Sequence, residues 1–202
     1  MTSDRDFFLI EIEDRLPDYA ELFANTNPVY IEIGSGKGEF ISGYPKIHPE
    51  WNFIGFELRE KRINTILKKL SPTEHPNVRL ARRFIDPSIT DFLHPQSIQG
   101  VFIQHPDPWP KRKHHRRRLI NQTFLNALVE IMAPDAFVQV STDHEDYATW
   151  IADEFTINPY FSAVYDDLIM DYSVLDEHIV TWFEQEQKRQ GYHPKYMLFK
   201  KL

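Results

Sequence analysis

At 202 residues, 42% of them hydrophobic and 14% aromatic, the chain has apolar material for one α/β domain and little more. It has no cysteine, which excludes a disulfide framework and a thiolate metal site, and no stretch nears the roughly 18 consecutive apolar residues of a membrane span. A formal charge of −7 argues against broad nucleic-acid binding. Residues Met1 to Phe8 lack the basic start and small-residue cleavage site of a secretion signal, so a cytoplasmic protein is expected.

Taken in chain order, an amphipathic opening from Phe7 to Phe23 reads as helical, within an N-terminal segment assigned to residues 1–27. Apolar runs of strand character follow at Val29–Ile33, Asn52–Glu57, Val78–Ala81, Gly100–His105, Phe137–Ser141, Ser162–Tyr165 and Tyr196–Phe199. Between them, Glu39–Ile47, Arg59–Leu70, Arg117–Met132, Glu145–Phe155 and Thr181–Gln190 have helical spacing without breakers, while Asp166–His178 reads as a loop. No linker or repeat divides the chain, so one domain over residues 1–202 is expected, with its core in 28–202. Strand–helix alternation with several uniformly apolar strands predicts a parallel sheet covered on both faces. Ligands of such sheets sit at the carboxyl ends of the strands, where the strand order reverses.

Three of the seven glycines fall within five residues, in Glu32-Ile33-Gly34-Ser35-Gly36-Lys37-Gly38, directly after the first apolar strand. So tight a turn needs glycine for positive φ and for close approach of backbone to ligand. A dinucleotide fingerprint would require a further glycine where Glu39 stands, and the phosphate-cradling Gly-x4-Gly-Lys pattern does not fit. The run suits a ligand without phosphate whose cationic end lies beside the turn, with Glu32 as the compensating charge. Glu57 ends the next strand, 23 residues after Gly34, where a carboxylate can accept from both hydroxyls of a ribose. Read singly, the glycines are compatible with a plain turn and Glu57 with a surface acid; together they point to S-adenosylmethionine rather than NAD.

Further on, Pro106-Asp107-Pro108-Trp109-Pro110 follows a strand end, and its three prolines make a stiff loop able to hold a carboxylate and an aromatic in place. Asp107 and Trp109 could equally cap a turn and pack in the core. Then comes Lys111-Arg112-Lys113-His114-His115-Arg116-Arg117-Arg118, with six of the 23 lysines and arginines; the rest of the chain has 17 basic against 30 acidic residues. A patch this dense on an acidic chain suggests one polyanion site; a solvated basic loop is the bland alternative. His105, His114 and His115 lack metal-ligand spacing, and no metal is expected.

These segments carry a resemblance. Ile31 to Gly38, Gly55-Phe56-Glu57, Pro106 to Lys111 with its His/Arg tail, Ser141-Thr142-Asp143 and Thr181-Trp182-Phe183-Glu184 match, in that order, the tRNA (guanine-N7-)-methyltransferase family. The resemblance runs from about Val29 to the C-terminus, and the proline-rich segment with its basic tail is its most specific part. It implies a Rossmann-like class I methyltransferase fold, a seven-stranded, mostly parallel sheet with helices on both faces and a reversed hairpin at its end, so that 28–202 is the catalytic core. It implies S-adenosyl-L-methionine as cofactor, bound by Glu32, Gly34, Gly36, Glu57, Phe84 and Asp107, with Asp107 the catalytic residue. Lys111, Asp143, Thr181, Trp182, Phe183 and Glu184 would contact the substrate nucleotide, and Arg112, Arg116, Arg117 and Arg118 the RNA phosphates. The expected partner is tRNA, with no membrane, on a monomer or homodimer, and a partner subunit is left open.

The chain departs from the family pattern at three places. An Asp-Ala pair that reaches the adenine is replaced by Arg82-Arg83-Phe84-Ile85-Asp86, with Phe84 near the acid's place and Asp86 a substitute two residues on. A glycine pair before the fifth strand becomes Pro134-Asp135-Ala136, a mild change because Asp tolerates turns. The family's basic N-terminal extension is missing, which implies weaker tRNA binding. Two other functions remain in view: a cofactor- and RNA-binding paralogue without catalysis, and a methyltransferase for a non-tRNA substrate.

Overall fold

The structure, a computed structural model, describes residues 4–175 and 177–202. The first three residues of the expected N-terminal segment, and Asp176 of the expected loop, lie outside the described residues.

The expected opening helix is two short helices separated by other structure. Helix α1 (Asp4–Phe8) runs into a two-residue strand β1 (Leu9–Ile10), and α2 (Tyr19–Phe23) starts at an Asp18 cap. Pro17 disfavours helix at Leu16 before it, and Leu16 is instead buried with its N–H on the carbonyl of Phe92. Amphipathic spacing was preserved here by burying Phe8, Leu16 and Phe23 from separate elements.

The core follows the alternating pattern: β2 (Val29–Ile33), α3 (Glu39–Ile47), β3 (Asn52–Phe56), α4 (Glu60–Leu67), β4 (Val78–Ala81), α5 (Ile89–Phe92), β5 (Ile98–Gln104), α6 (Gln122–Ile131), β6 (Met132–Thr142), α7 (Glu145–Ile157), β7 (Phe161–Ala163), α8 (Trp182–Arg189) and β8 (Lys195–Lys201). The strands form one sheet in the order β1-β4-β3-β2-β5-β6-β8-β7. All neighbours from β1 to β6 run parallel, and β8 is antiparallel to both β6 and β7, giving the reversed hairpin. The sheet has eight strands rather than seven; the addition is β1, at the edge beside β4.

Strand alternation divides the core between the faces. Val29, Ile31 and Ile33 of β2 belong to the cluster that includes Phe92, Phe124, Leu128, Ile151 and Phe155 of α5, α6 and α7. Tyr30, between them, joins Phe40, Tyr44, Ile63 and Ile66 of α3 and α4 on the other face. Strand β6 begins at Met132 rather than Phe137, and its register against β5 shifts between Ile98 and Gly100. Asp135 lies in that stretch with φ 63°, a left-handed turn conformation that Asp adopts more readily than most residues.

The expected helix from Arg117 starts only at Gln122, because Asn121 caps it by accepting from the N–H of Phe124. The basic run before it coils as a 3-10 helix, Arg112–Arg117. No helix among the described residues is long and apolar enough to cross a membrane.

Candidate functional site

The parallel strands all end on one side of the sheet, and β2 and β5 lie side by side although two strand–helix units separate them in the chain. That switch point is where an open α/β sheet leaves a crevice. Two adjoining cavities occupy it, of about 700 and 550 Å³, and Gly34, Arg62, Gln104, His105, Pro106 and Asp107 line both.

The glycine turn after β2 holds positive φ at Gly34 (82°), Gly36 (56°) and Gly38 (83°). A Cβ on Gly34 would meet nothing within 4 Å, so its bare face opens on the cavities. A Cβ on Gly38 would stand 2.7 Å from Ile66 Cγ1, so this glycine lets α3 and α4 pack closely. Glu57 ties the turn to β3: its Oε2 accepts from the Gly36 N–H at 3.0 Å, its Oε1 from the Arg59 N–H at 2.8 Å, and Arg62 pairs with it at 3.4 Å. It lies just beyond β3 and lines the larger cavity beside Phe56 and Leu58.

Glu32 lines the smaller cavity and is 2% exposed, with no hydrogen-bond partner for Oε2 among the described residues. Burial, offset in part by Ser35 and reinforced by Glu39 and Glu57, pushes its carboxyl up to about 8. A buried carboxyl with a free oxygen beside a glycine turn awaits a cationic donor.

After β4, Phe84 lines the larger cavity, 62% exposed, together with Ile85 and Asp86. Asp86 Oδ1 accepts from the N–H and the hydroxyl of Ser88 (2.8 and 2.6 Å), which commits that oxygen to the turn before α5.

The segment after β5 is framed by left-handed residues, His105 (φ 49°) and Trp109 (φ 45°). Non-glycine residues in that region store backbone strain, which here carries the exposed Asp107 onto the boundary of the two cavities. Gln104 beneath it is fixed by Gln139 (3.0 Å) and the Ser141 hydroxyl (2.7 Å).

His105, weighed in the sequence only as a metal ligand, joins the site in another capacity, and a polar residue ending a buried strand was the signal for it. Its ring is buried, Nδ1 lies 3.5 Å from Asp143 Oδ1, and Phe183 stands 4.9 Å away by ring centroids. Burial would raise the Asp143 carboxyl, but the His105 contact and its own backbone hold it below the usual range.

Asp143, Thr181, Trp182 and Phe183 all line the smaller cavity. Thr181 caps α8 by accepting from the Glu184 N–H at 3.1 Å. Lys37 of the glycine turn, also missed from the sequence, sits 3.0 Å from the centroid of the Trp182 ring and joins α8 to the turn. Glu184 faces the other way: it is 1% exposed and takes bonds from His178 (2.8 Å), Tyr196 (3.0 Å) and Lys188 (2.7 Å). Burial alone would raise its carboxyl; His178 and Lys188 bring it down to about 2.

The basic run is divided as well. Lys111, Arg112, Arg116 and Arg117 are exposed, and Arg116 and Arg117 line the larger cavity, with Arg117 4.9 Å from the Trp109 ring. Lys111 and Arg112 stand outside the lining of both cavities. Arg118, expected among the phosphate contacts, is instead 2% exposed: it donates to the Pro108 carbonyl at 2.9 Å, pairs with Asp146 and lies against Tyr147 and Trp150. Its guanidinium holds the proline-rich segment on α7 and is spent there.

A family model described as "Putative methyltransferase" matches residues 26–197. The chain is 31% identical over 189 residues to the tRNA (guanine-N(7)-)-methyltransferase of Latilactobacillus sakei, covering 92% of this chain and 87% of that one. To the enzyme of the same name from Bacillus subtilis it is 34% identical over 165 residues, 82% and 76% of the two chains. Among solved structures, a variant of the 16S rRNA (adenine(1408)-N(1))-methyltransferase of Catenulisporales acidiphilia, solved with its cosubstrate SAM, superposes with a TM-score of 0.60. That match covers 95% of this chain and 97% of the other at 15% identity, a likeness of fold.

Proposed function

The chain belongs to the tRNA (guanine-N(7)-)-methyltransferase family, and from that premise we propose that it transfers a methyl group from S-adenosylmethionine to N7 of a guanosine in tRNA, with Asp107 at the reacting centre. The observation that carries the assignment of Asp107 is its place on the boundary shared by both cavities.

The residues fit a cofactor that spans the boundary, its ribose and adenine in the larger cavity and its methionine end reaching Glu32 in the smaller one. Glu32, with its unpartnered buried oxygen, suits the amino group of the methionine end, and the open face of Gly34 leaves room for the chain beside it. Glu57 Oε2 already takes the Gly36 N–H and Arg62, whereas Oε1 takes only the Arg59 N–H and keeps one of its two acceptor sites. It can take one ribose hydroxyl there, and the other in place of the long Arg62 contact, while keeping the turn closed. Phe84, Ile85 and Leu58 offer apolar surface for the adenine, and Asp86 retains one free oxygen. When bound, the cofactor supplies an electrophilic methyl group on a sulfonium.

In the smaller cavity, beyond Glu32, Asp143, Thr181, Trp182 and Phe183 suit the target nucleotide. Guanine is specified by carboxylates that accept from its N1–H and amino group, and Asp143, kept ionised beside His105, fits that task. Glu184 serves by holding α8 rather than by touching the base. N7 carries a free lone pair at neutral pH, so no general base is needed. Orientation of two reactants supplies up to roughly 7–11 kcal/mol in favourable systems. The methylated base becomes cationic, and Asp107 is placed to stabilise that developing charge. Arg112, Arg116 and Arg117, with Lys111, provide phosphate contacts that offset displacing the base, a cost of about a few kcal/mol.

The test is Asp107→Ala, followed by cofactor titration and by turnover on tRNA. Turnover should vanish while cofactor affinity stays within about tenfold, the loss falling on charge stabilisation rather than binding. Wild-type turnover would overturn the assignment.

A further inference from the structure

The larger cavity has an electrostatic excess that the cofactor leaves unexplained. Six arginines line it, Arg59, Arg62, Arg83, Arg116, Arg117 and Arg118, against the carboxylates Glu57, Asp86 and Asp107. Arg62 is paired with Glu57 and Arg118 with Asp146. The other four meet no carboxylate among the described residues within ion-pair distance; Arg83 lies 4.4 Å from the Phe92 ring and donates to the Ile12 carbonyl at 3.4 Å, which leaves its charge intact. S-adenosylmethionine brings a sulfonium and an ammonium against one carboxylate, a net positive charge. The four guanidiniums outnumber the carboxylates Asp86 and Asp107 that share the cavity, a positive excess that repels a cationic cofactor and that, on a chain of net charge −7, does not follow from composition.

Topology sorts the four into two pairs. Arg59 follows β3 and Arg83 follows β4, whereas Arg116 and Arg117 follow β5; β2 stands between the two groups in the sheet. The basic run supplies only the second pair. We propose that Arg59 and Arg83 form a second phosphate-binding wall, opposite Arg116 and Arg117, so that the backbone of the substrate RNA bridges the mouth of the cofactor cavity. Guanidinium forks match phosphate oxygens bidentately, which makes arginine suited to both walls. The inference rests on the tRNA reading above and extends it to a surface outside the basic run. It has a thermodynamic consequence: bound phosphates cancel the repulsion, so RNA and cofactor each strengthen the other's binding.

Arg59 is the residue to change, because its side chain has no hydrogen bond or ion pair to lose among the described residues. Arg59→Gln and Arg116→Gln, with circular dichroism to check the fold, are compared with wild type for tRNA affinity across a salt series. Each variant should make the slope of log K against log[salt] shallower by roughly 0.7–0.9, the effect of one phosphate contact. Cofactor affinity without RNA should stay level or rise in Arg59→Gln, and the gain on adding tRNA should shrink. A wild-type slope in Arg59→Gln, with the slope changed in Arg116→Gln, overturns the second wall. So does a fall in cofactor affinity without RNA, which would assign Arg59 to the cofactor. Unchanged slopes in both variants overturn the RNA reading itself.

Discussion

Glu32 is held in a state that weakens the empty protein, and replacing it with Gln measures by how much. The carboxyl is buried and titrates at about 8 instead of the ordinary 4.5. Between those values the folded chain keeps the proton and the unfolded chain has lost it. The unfolded state then binds fewer protons, so wild-type stability falls as pH rises through this window, by about 1.4 kcal/mol per pH unit. Glu32→Gln has no proton to lose. From pH 4.5 to pH 7, the stability of the variant relative to wild type should therefore rise by about 3 kcal/mol. For a chain of this size that corresponds to roughly 6–12 °C in Tm. Urea unfolding of the two cofactor-free proteins at half-unit steps between pH 4.5 and 8.5 reads the difference, which cancels every other titrating group. Cofactor titration supplies the second half. A carboxylate that must ionise to receive an ammonium releases a proton on binding, so wild-type affinity should rise about tenfold per pH unit below 8, and Glu32→Gln should lose both the affinity and the slope. A stability difference that stays flat from pH 5 to 7.5 would show that Glu32 is not held protonated by burial.

The remaining predictions concern residues whose roles diverge from their motif. Arg118→Met should cost about 2–4 kcal/mol in urea unfolding, since the Pro108 carbonyl loses its donor and Asp146 its partner, while Arg116→Met, exposed, should stay within roughly 0.5 kcal/mol; equal small effects would show that Arg118 is not an anchor. Glu184, whose carboxyl is drawn down to about 2, contributes stability that is complete above pH 4.5 and lost as pH falls toward 2. The stability gap between wild type and Glu184→Gln should close over that interval in acid unfolding, and a constant gap would contradict the ion-pair network.

The sequence disclosed elements wherever a local signal and the packing agreed. Val29–Ile33, Val78–Ala81 and Glu39–Ile47 begin and end where the apolar runs and the glycine turn placed them. The opening helix misled because its amphipathic spacing is real, yet Pro17 and the pairing of Leu9 and Ile10 with β4 decide the backbone. At the site, Glu32 and Glu57 at strand ends and Asp107 in the loop after β5 could be sought because parallel-sheet topology directs such positions to one crevice, whereas Asp143 was carried by the family resemblance alone. Arg118 follows two exposed arginines and Glu184 follows the cavity-lining Trp182 and Phe183, and only the fold reveals that Asp146, Tyr147, His178 and Tyr196 enclose them. His105 and Lys37 were hidden for a related reason: their partners, Asp143 and Trp182, lie far away in the chain.

The most direct test of the account is transfer of labelled methyl from S-adenosylmethionine to unmodified tRNA, with the product mapped by strand cleavage at N7-methylguanosine. Incorporation is expected at one guanosine in wild type and at none in Asp107→Ala. Binding of both tRNA and cofactor by the wild-type chain without methyl transfer, or transfer to an atom other than N7, would contradict it.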